Sequence, residues 1–225
     1  MMDTIAVDHL PPTPPSESAR EKHGADHIED TMASVANRGA EHKHIWVITG
    51  PAGCGKTSVA EFLHQTLDLP YLEGDSYHTP ENIKKMAEGT PLTDADRWDW
   101  LILLREQALQ TLRSTSNAGV IVTCSALKRK YRDVLRIASY HHPEILVHFL
   151  YLNATEAVLM DRVRARQNHY MKDYMVHSQF ESLEAPQRDE VDVLAVDASG
   201  TSKEVQRLAG KVVEEILRQD GVGSF

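Results

Sequence analysis

The run Gly50-Pro51-Ala52-Gly53-Cys54-Gly55-Lys56-Thr57 completes the pattern G-x-x-x-x-G-K-[ST] without a mismatch. A run of this kind is a phosphate cradle. Its glycines let successive backbone N–H groups turn inward on the α- and β-phosphates, Lys56 can reach the β/γ oxygens, and the Thr57 hydroxyl can ligate Mg²⁺. Short patterns recur by chance, so the surroundings decide. Before the run lies His44-Ile45-Trp46-Val47-Ile48-Thr49, which has the apolar character of a buried strand. After it, Val59, Leu63 and Leu67 recur at four-residue spacing and give one apolar face to a helix that begins where the phosphates would sit. Strand, glycine loop and helix together predict an ATP site.

Outward from this unit the chain divides by composition. Residues 1–43 combine Pro11-Pro12-Thr13-Pro14-Pro15 with scattered acids, histidines and small residues, and lack an apolar period. They read as a disordered tail, with a proline-rich docking peptide as the alternative. Residues 44–220 read as one domain. Leu69–Glu73 is a second strand running into Gly74-Asp75, and residues 76–100 form a polar insertion with helical pieces over Asn82–Glu88 and Trp98–Arg113. The latter aligns Trp100, Leu104, Ala108 and Leu112. Val120–Cys124, Ile145–Leu152 and Val191–Val196 complete the strands. Asn153 with Glu156 suggests a capping box, as does Thr201 with Glu204 before a last helix built on Val205, Leu208, Val212 and Ile216. The polar stretch from about 164 to 188 is long for a connection, and such stretches often act as lids. The expected fold is α/β: a five-stranded parallel sheet with helices on both faces, a helical substrate-binding insertion and a lid.

Composition narrows the partners. With 24 Lys and Arg against 33 Asp and Glu, the formal charge of −9 offers no basic face for nucleic acid. No run is long enough for a membrane span and no signal-peptide blocks open the chain, so a cytoplasmic location is expected. The two cysteines, Cys54 and Cys124, imply no disulfide framework, and no pair among the 12 histidines has zinc spacing.

The chemistry gathers near the second strand. Asp75, at that strand's C-terminal end beside the loop, is placed to accept a proton from a substrate hydroxyl as it attacks the γ-phosphate, or to hold a metal-bound water. Strand period puts Glu73 on the same side, where it can help hold the Mg²⁺ water shell or simply face solvent. Arg162 and Arg166, one helical turn apart, can clamp the transferring phosphoryl group or belong to a solvated helix face. Arg97, flanked by Asp94 and Asp96, suits a substrate carboxylate, with the acids accepting hydrogen bonds from sugar hydroxyls. Alternatively it pairs with those acids. His78, Asn82 and Lys85 form either a polyol-binding face or a solvated one.

The stretch Leu72–Arg97, with Gly74-Asp75-Ser76-Tyr77-His78-Thr79-Pro80-Glu81-Asn82 and Gly89-Thr90-Pro91-Leu92-Thr93-Asp94-Ala95-Asp96-Arg97 inside it, closely resembles the signature of the gluconate kinases, in the shikimate-kinase-like branch of the nucleoside-monophosphate-kinase fold. Cys124–Arg136 resembles their second signature and Ser178–Pro186 their lid region. With the phosphate loop, these matches span about Trp46 to Val196. The resemblance implies transfer of the ATP γ-phosphate to the 6-hydroxyl of D-gluconate. It implies a nucleotide and Mg²⁺ site at the Gly50–Thr57 loop, Asp75 on the substrate side, and Arg162 and Arg166 facing nucleotide phosphates or adenine. The substrate carboxylate is expected near Arg97 or a basic residue of the 128–136 segment, with Lys128 and Arg132 as candidates, and family members are commonly homodimers. Two features depart from the family: Glu73 stands where Asp is frequent, and the tail has no counterpart. Sibling kinases of other small acids or nucleotides, and a non-catalytic nucleotide switch, are the alternative readings.

Overall fold

A computed structural model describes residues 42–165 and 173–222. Five parallel strands, β1 (Lys43–Thr49), β2 (Tyr71–Glu73), β3 (Gly119–Thr123), β4 (Ile145–Asn153) and β5 (Val193–Asp197), form one sheet in the order β2-β3-β1-β4-β5. The helices are α1 (Lys56–Leu67), α2 (Pro80–Ala87), α3 (Asp94–Ser114), α4 (Arg129–His141), α5 (Glu156–Ala165), α6 (Asp173–Glu181) and α7 (Ser202–Val222). β1 lies at the centre, flanked by β3 and β4. The chain winds to one side of β1 and then to the other, so a crevice opens at its C-terminal end, where ligands bind in such sheets.

Alternation along the strands builds two cores. Ile45 and Val47 of β1, with Val147 and Phe149 of β4, join Leu101, Leu104, Leu112 and Leu135 from α3 and α4. Trp46 and Ile48, with Leu150 and Leu152, face Leu63, Leu159, Val205, Ala209 and Val213 from α1, α5 and α7. A strand with one residue type on both faces must be covered on both, which explains the near-continuous apolar runs of β1 and β4.

Several boundaries differ from the sequence expectation, each for a local reason. α3 begins four residues earlier than Trp98, because Thr93 and Asp96 form a reciprocal capping box. At α5 the capping oxygen is Thr155 Oγ1, which accepts from Val158 N–H at 3.4 Å, and not Asn153, which ends β4. In α7 the fully buried stripe is Val205, Ala209, Val213 and Leu217, one position from the expected one, with Leu208, Val212 and Ile216 half-buried on its flank. The polar stretch 164–188 contains α6, which Val176 and Phe180, one turn apart, attach to the core beside Leu159 and Val163.

At the opposite end of the sheet from the crevice, His44 and His148 share a hydrogen bond of 3.1 Å, and His44 Nε2 lies 3.3 Å from Asp220 Oδ2. His42 Nδ1 meets the other Asp220 oxygen at 2.6 Å. The Trp46 indole stacks on both imidazoles, at 5.3 and 4.5 Å between ring centroids. Burial holds both ring pKa values below the ordinary histidine value, that of His148 at about 4.

Candidate active site

The phosphate loop leaves β1 through Gly50, and Gly50, Gly53 and Gly55 all have positive φ (140°, 82° and 99°), a region that L side chains avoid. Those angles turn the backbone into a concave cradle ahead of α1. The Lys56 ammonium donates to the carbonyls of Gly50 and Pro51 at 3.0 and 3.2 Å, held over the loop by neutral acceptors. Cys54 is buried beneath, and burial raises its thiol pKa, so it packs as a small apolar group. Gly50 N–H and the Thr49 hydroxyl both donate to Ser125 O, fastening the loop to the end of β3.

Glu73 reaches into this cradle from β2. Thr123 Oγ1 donates to Glu73 Oε1 at 2.5 Å, the Tyr71 hydroxyl donates to Oε2, and Thr57 Oγ1 donates to Oε2 at 3.4 Å. Tyr71 and Glu73 share a face of the strand, and their contact, after the burial of the phenol, keeps the tyrosine protonated. The strand then stops. Residues Gly74–Tyr77 form a 3₁₀ turn, so Asp75 reaches the crevice from that turn and not by strand period from Glu73. Gly74 is required there: a Cβ would lie 2.0 Å from Thr123 O. Trp100 Nε1–H donates to Gly74 O at 2.8 Å, pinning the turn to α3.

One cavity of about 410 Å³ joins these parts; Lys56, Thr57, Glu73, Asp75, His78 and Arg97 are among its lining residues. The Asp75 side chain is 86% exposed and lies 3.9 Å from His78 Nε2. The His78 ring stacks on Trp100 at 4.0 Å between centroids, and burial lowers its pKa, so it is neutral near pH 7. Arg97 lies with its guanidinium 5.5 Å from the Tyr131 ring centroid and donates to Leu92 O at 3.3 Å, while its buried Nε has no partner.

Other expected site residues lie elsewhere. Arg132 is corrected from substrate ligand to buried strut. It grips Glu190 with two bonds of 2.7 Å, donates to Ala126 O and Glu184 O, is buried, and is not among the residues lining the cavity. Asn82 is also corrected: it is buried and donates to Asp96 O at 2.6 Å. Lys85 pairs with Asp96 at 2.6 Å, and that bond, with the Thr93 cap, holds the Asp96 carboxyl pKa down at about 2. Lys128 and Lys130 both pair with Asp94, which also accepts from the Tyr131 hydroxyl. Asp94 and Asp96 are therefore occupied within the fold, and neither Lys85 nor Lys128 is among the residues lining the cavity. Arg162 donates to Gly200 O, tying α5 to the loop before α7. Arg166 lies outside the described residues, as do residues 166–172 of the expected lid and the tail before residue 42.

The cavity wall also uses residues the sequence reading did not single out as ligands: Ser125, Ser178, Gln179 and Trp100. Gln179 Oε1 accepts from Ala52 N–H at 2.7 Å, a contact across 127 positions. Its signal lay in the Ser178–Pro186 match, which named a region and no role. Among the described residues, no group of three or more His, Cys, Asp or Glu is arranged to hold a metal, and no helix is long and apolar enough to cross a membrane.

A parallel sheet with a phosphate loop at its switch point, and an acid and a guanidinium sharing the loop's cavity, defines a P-loop kinase that uses ATP. The family model described as AAA domain matches residues 45–187. The chain is 40% identical over 190 residues to a protein of Schizosaccharomyces pombe named probable gluconokinase, covering 84% of this chain and 98% of that one. It is 41% identical over 154 residues to the thermoresistant gluconokinase of Escherichia coli, covering 68% and 84%. A crystal structure of a gluconokinase from Sinorhizobium meliloti superposes with a TM-score of 0.69 at 37% identity, covering 83% of this chain and 99% of that one. The chain belongs to the gluconokinase family.

Proposed function

We propose that this kinase transfers the γ-phosphoryl group of ATP to the 6-hydroxyl of D-gluconate, giving 6-phospho-D-gluconate for the pentose phosphate pathway. The observation that carries the reading is that one cavity is lined by Lys56 and Thr57 of the phosphate loop, by Asp75 and by Arg97. A sugar acid has a carboxylate at one end and a primary hydroxyl at the other, and a cavity with a guanidinium, a carboxylate and a phosphate loop offers a partner for each. Among the basic candidates for the carboxylate, Lys128, Lys130, Arg132 and Arg136 all pair with acids. Arg97 donates to a carbonyl and lines the cavity. It takes the carboxylate, with His78 beside it as a neutral hydrogen-bonding group.

Asp75 accepts the proton of the 6-hydroxyl as that oxygen forms its bond to phosphorus and the bond from phosphorus to the β–γ bridging oxygen breaks, releasing ADP. Lys56 leaves its carbonyl acceptors for the phosphate oxygens and offsets the charge that develops there. The oxygen donors Thr57 Oγ1 and Glu73 Oε2, 3.4 Å apart, fit Mg²⁺, a hard cation that favours oxygen ligands and retains waters. Thr57 would hold the ion directly, and Glu73 through water. When bound, Mg²⁺ neutralises charge on the β- and γ-phosphates. Arg162 and Arg166 are read as the phosphate- or adenine-facing pair, and α6 as the described part of the lid. The family resemblance supports a cytoplasmic homodimer.

A coupled assay of ADP release tests the reading, with Mg²⁺–ATP alone and with D-gluconate, shikimate or AMP. Turnover that depends on gluconate, at one to a hundred events per second or so, is the expected result. ATP binding without stimulation by gluconate would return the activity to a sibling kinase or a nucleotide switch.

A further inference from the structure

Gln179 reaches the phosphate loop from α6, more than a hundred residues further along the chain. Val176, fully buried, and Phe180 seat the helix on the core, and His177 Nδ1 bonds Glu156 of α5 at 2.7 Å. The side chain is therefore presented by a helix fixed on two sides. Its carbonyl oxygen takes the Ala52 N–H at 2.7 Å, and the residue lines the cavity with Lys56, Thr57 and Asp75.

A primary amide has two working ends. With the carbonyl end held by Ala52, the planar amide is fixed in orientation and its NH₂ end is left as the donor. A carboxylate would accept the Ala52 N–H more strongly, because charge-assisted bonds are the stronger kind. It would also place negative charge against a polyphosphate. A neutral amide secures the loop without that repulsion and adds a donor on the same side. Ala52 precedes the Gly53–Thr57 stretch that wraps the α- and β-phosphates, so a donor anchored at Ala52 and sharing a cavity with Asp75 faces the space between cradle and acceptor. The γ-phosphoryl group occupies that space.

We propose that Gln179 is a positioning residue for the transferring phosphoryl group: pinned by Ala52 N–H, its NH₂ donates to a γ-phosphate oxygen and so joins α6 to the loop when ATP, and not ADP, is bound. The inference rests on ATP being the phosphoryl donor and not on the identity of the acceptor.

The test is therefore one of nucleotide binding. Dissociation constants for Mg²⁺–ADP and for a non-hydrolysable ATP analogue are measured by titration calorimetry on the full chain, Gln179→Ala and Gln179→Glu, with melting temperatures recorded alongside. Loss of a hydrogen bond to a charged phosphate should weaken the ATP analogue by about tenfold or more in both variants, with ADP within about twofold of the parent. Gln179→Glu adds repulsion of its own and should weaken the ATP analogue at least as much, so the neutral Gln179→Ala carries the decision: a merely structural tie to the loop would weaken both nucleotides alike, because the loop wraps the α- and β-phosphates that they share. An equal loss for both nucleotides in Gln179→Ala, or no loss for the ATP analogue, would overturn the proposal. Because gluconate is absent throughout, a failure of the substrate reading would show in the turnover assay and not here.

Discussion

Two sets of basic side chains differ in what holds them. Along the start of α4, Lys128 and Lys130 pair with Asp94, Arg132 with Glu190, and Arg136 with Asp192, Glu190 and Asp133. In the cavity, Lys56 and Arg97 donate to backbone carbonyls. A guanidinium held by carboxylates is already neutralised, and drawing it to a ligand would strand a buried acid. A cation resting on carbonyls gives up only neutral bonds when an anion arrives. The difference teaches that a positive charge alone does not mark a ligand site; the sign of its resident partner does.

The comparison can be broken at its most reactive point. Lys56→Met removes the charge over the phosphates, and steady-state kinetics should show kcat lower by about 10³-fold or more with little change in melting temperature. Arg132→Met is the opposite case. It leaves Glu190 buried without its main partner, and urea unfolding should show a loss of about 3–5 kcal/mol, while the gluconate KM of the folded enzyme is unchanged. A raised KM there would return Arg132 to the substrate site. Asp75→Asn should lower kcat by about 10²-fold while calorimetry finds ATP affinity intact, and near-normal turnover would remove Asp75 as the base. Arg97→Met should raise the gluconate KM by about ten- to a hundredfold with the ATP KM unchanged, since one charge-assisted carboxylate contact is lost.

The smallest effect concerns the histidines at the far end of the sheet. His44 and His148 are neutral in the fold, their pKa values lowered by burial, whereas in the unfolded chain they titrate near 6.5. Below that value the unfolded state binds more protons, so stability is full above pH 6.5 and is lost as the pH falls toward about 4. Urea midpoints across that range should fall in the parent and fall less steeply in His148→Phe.

Local pattern carried much of this molecule. The phosphate loop, the stripe of α3 and the five strands were legible because each is decided by neighbours within a few positions. The resemblance located the cavity wall. What local pattern could not supply was pairing at a distance: Arg132 meets Glu190 across 58 positions, and within the Lys128–Arg136 run its spacing looks no different from that of a ligand. Glu73 and Asp75 line one cavity, but strand period is not the reason, because a 3₁₀ turn replaces the strand after Glu73. α6 was hidden because two apolar residues suffice to seat a short helix whose other face is polar.

The stack of His78 on Trp100 has an optical consequence. Of the three tryptophans, Trp46 is sealed at the far end of the sheet and Trp98 packs edge-on to Tyr131. Trp100 alone among them lines the cavity, with its N–H fixed on the turn that carries Asp75. Ligand entry that shifts this turn or the imidazole alters the field around the indole. With Trp46 and Trp98 replaced by phenylalanine, the emission of Trp100 would serve as an intrinsic gauge of occupancy, readable in a stopped-flow trace without any added dye.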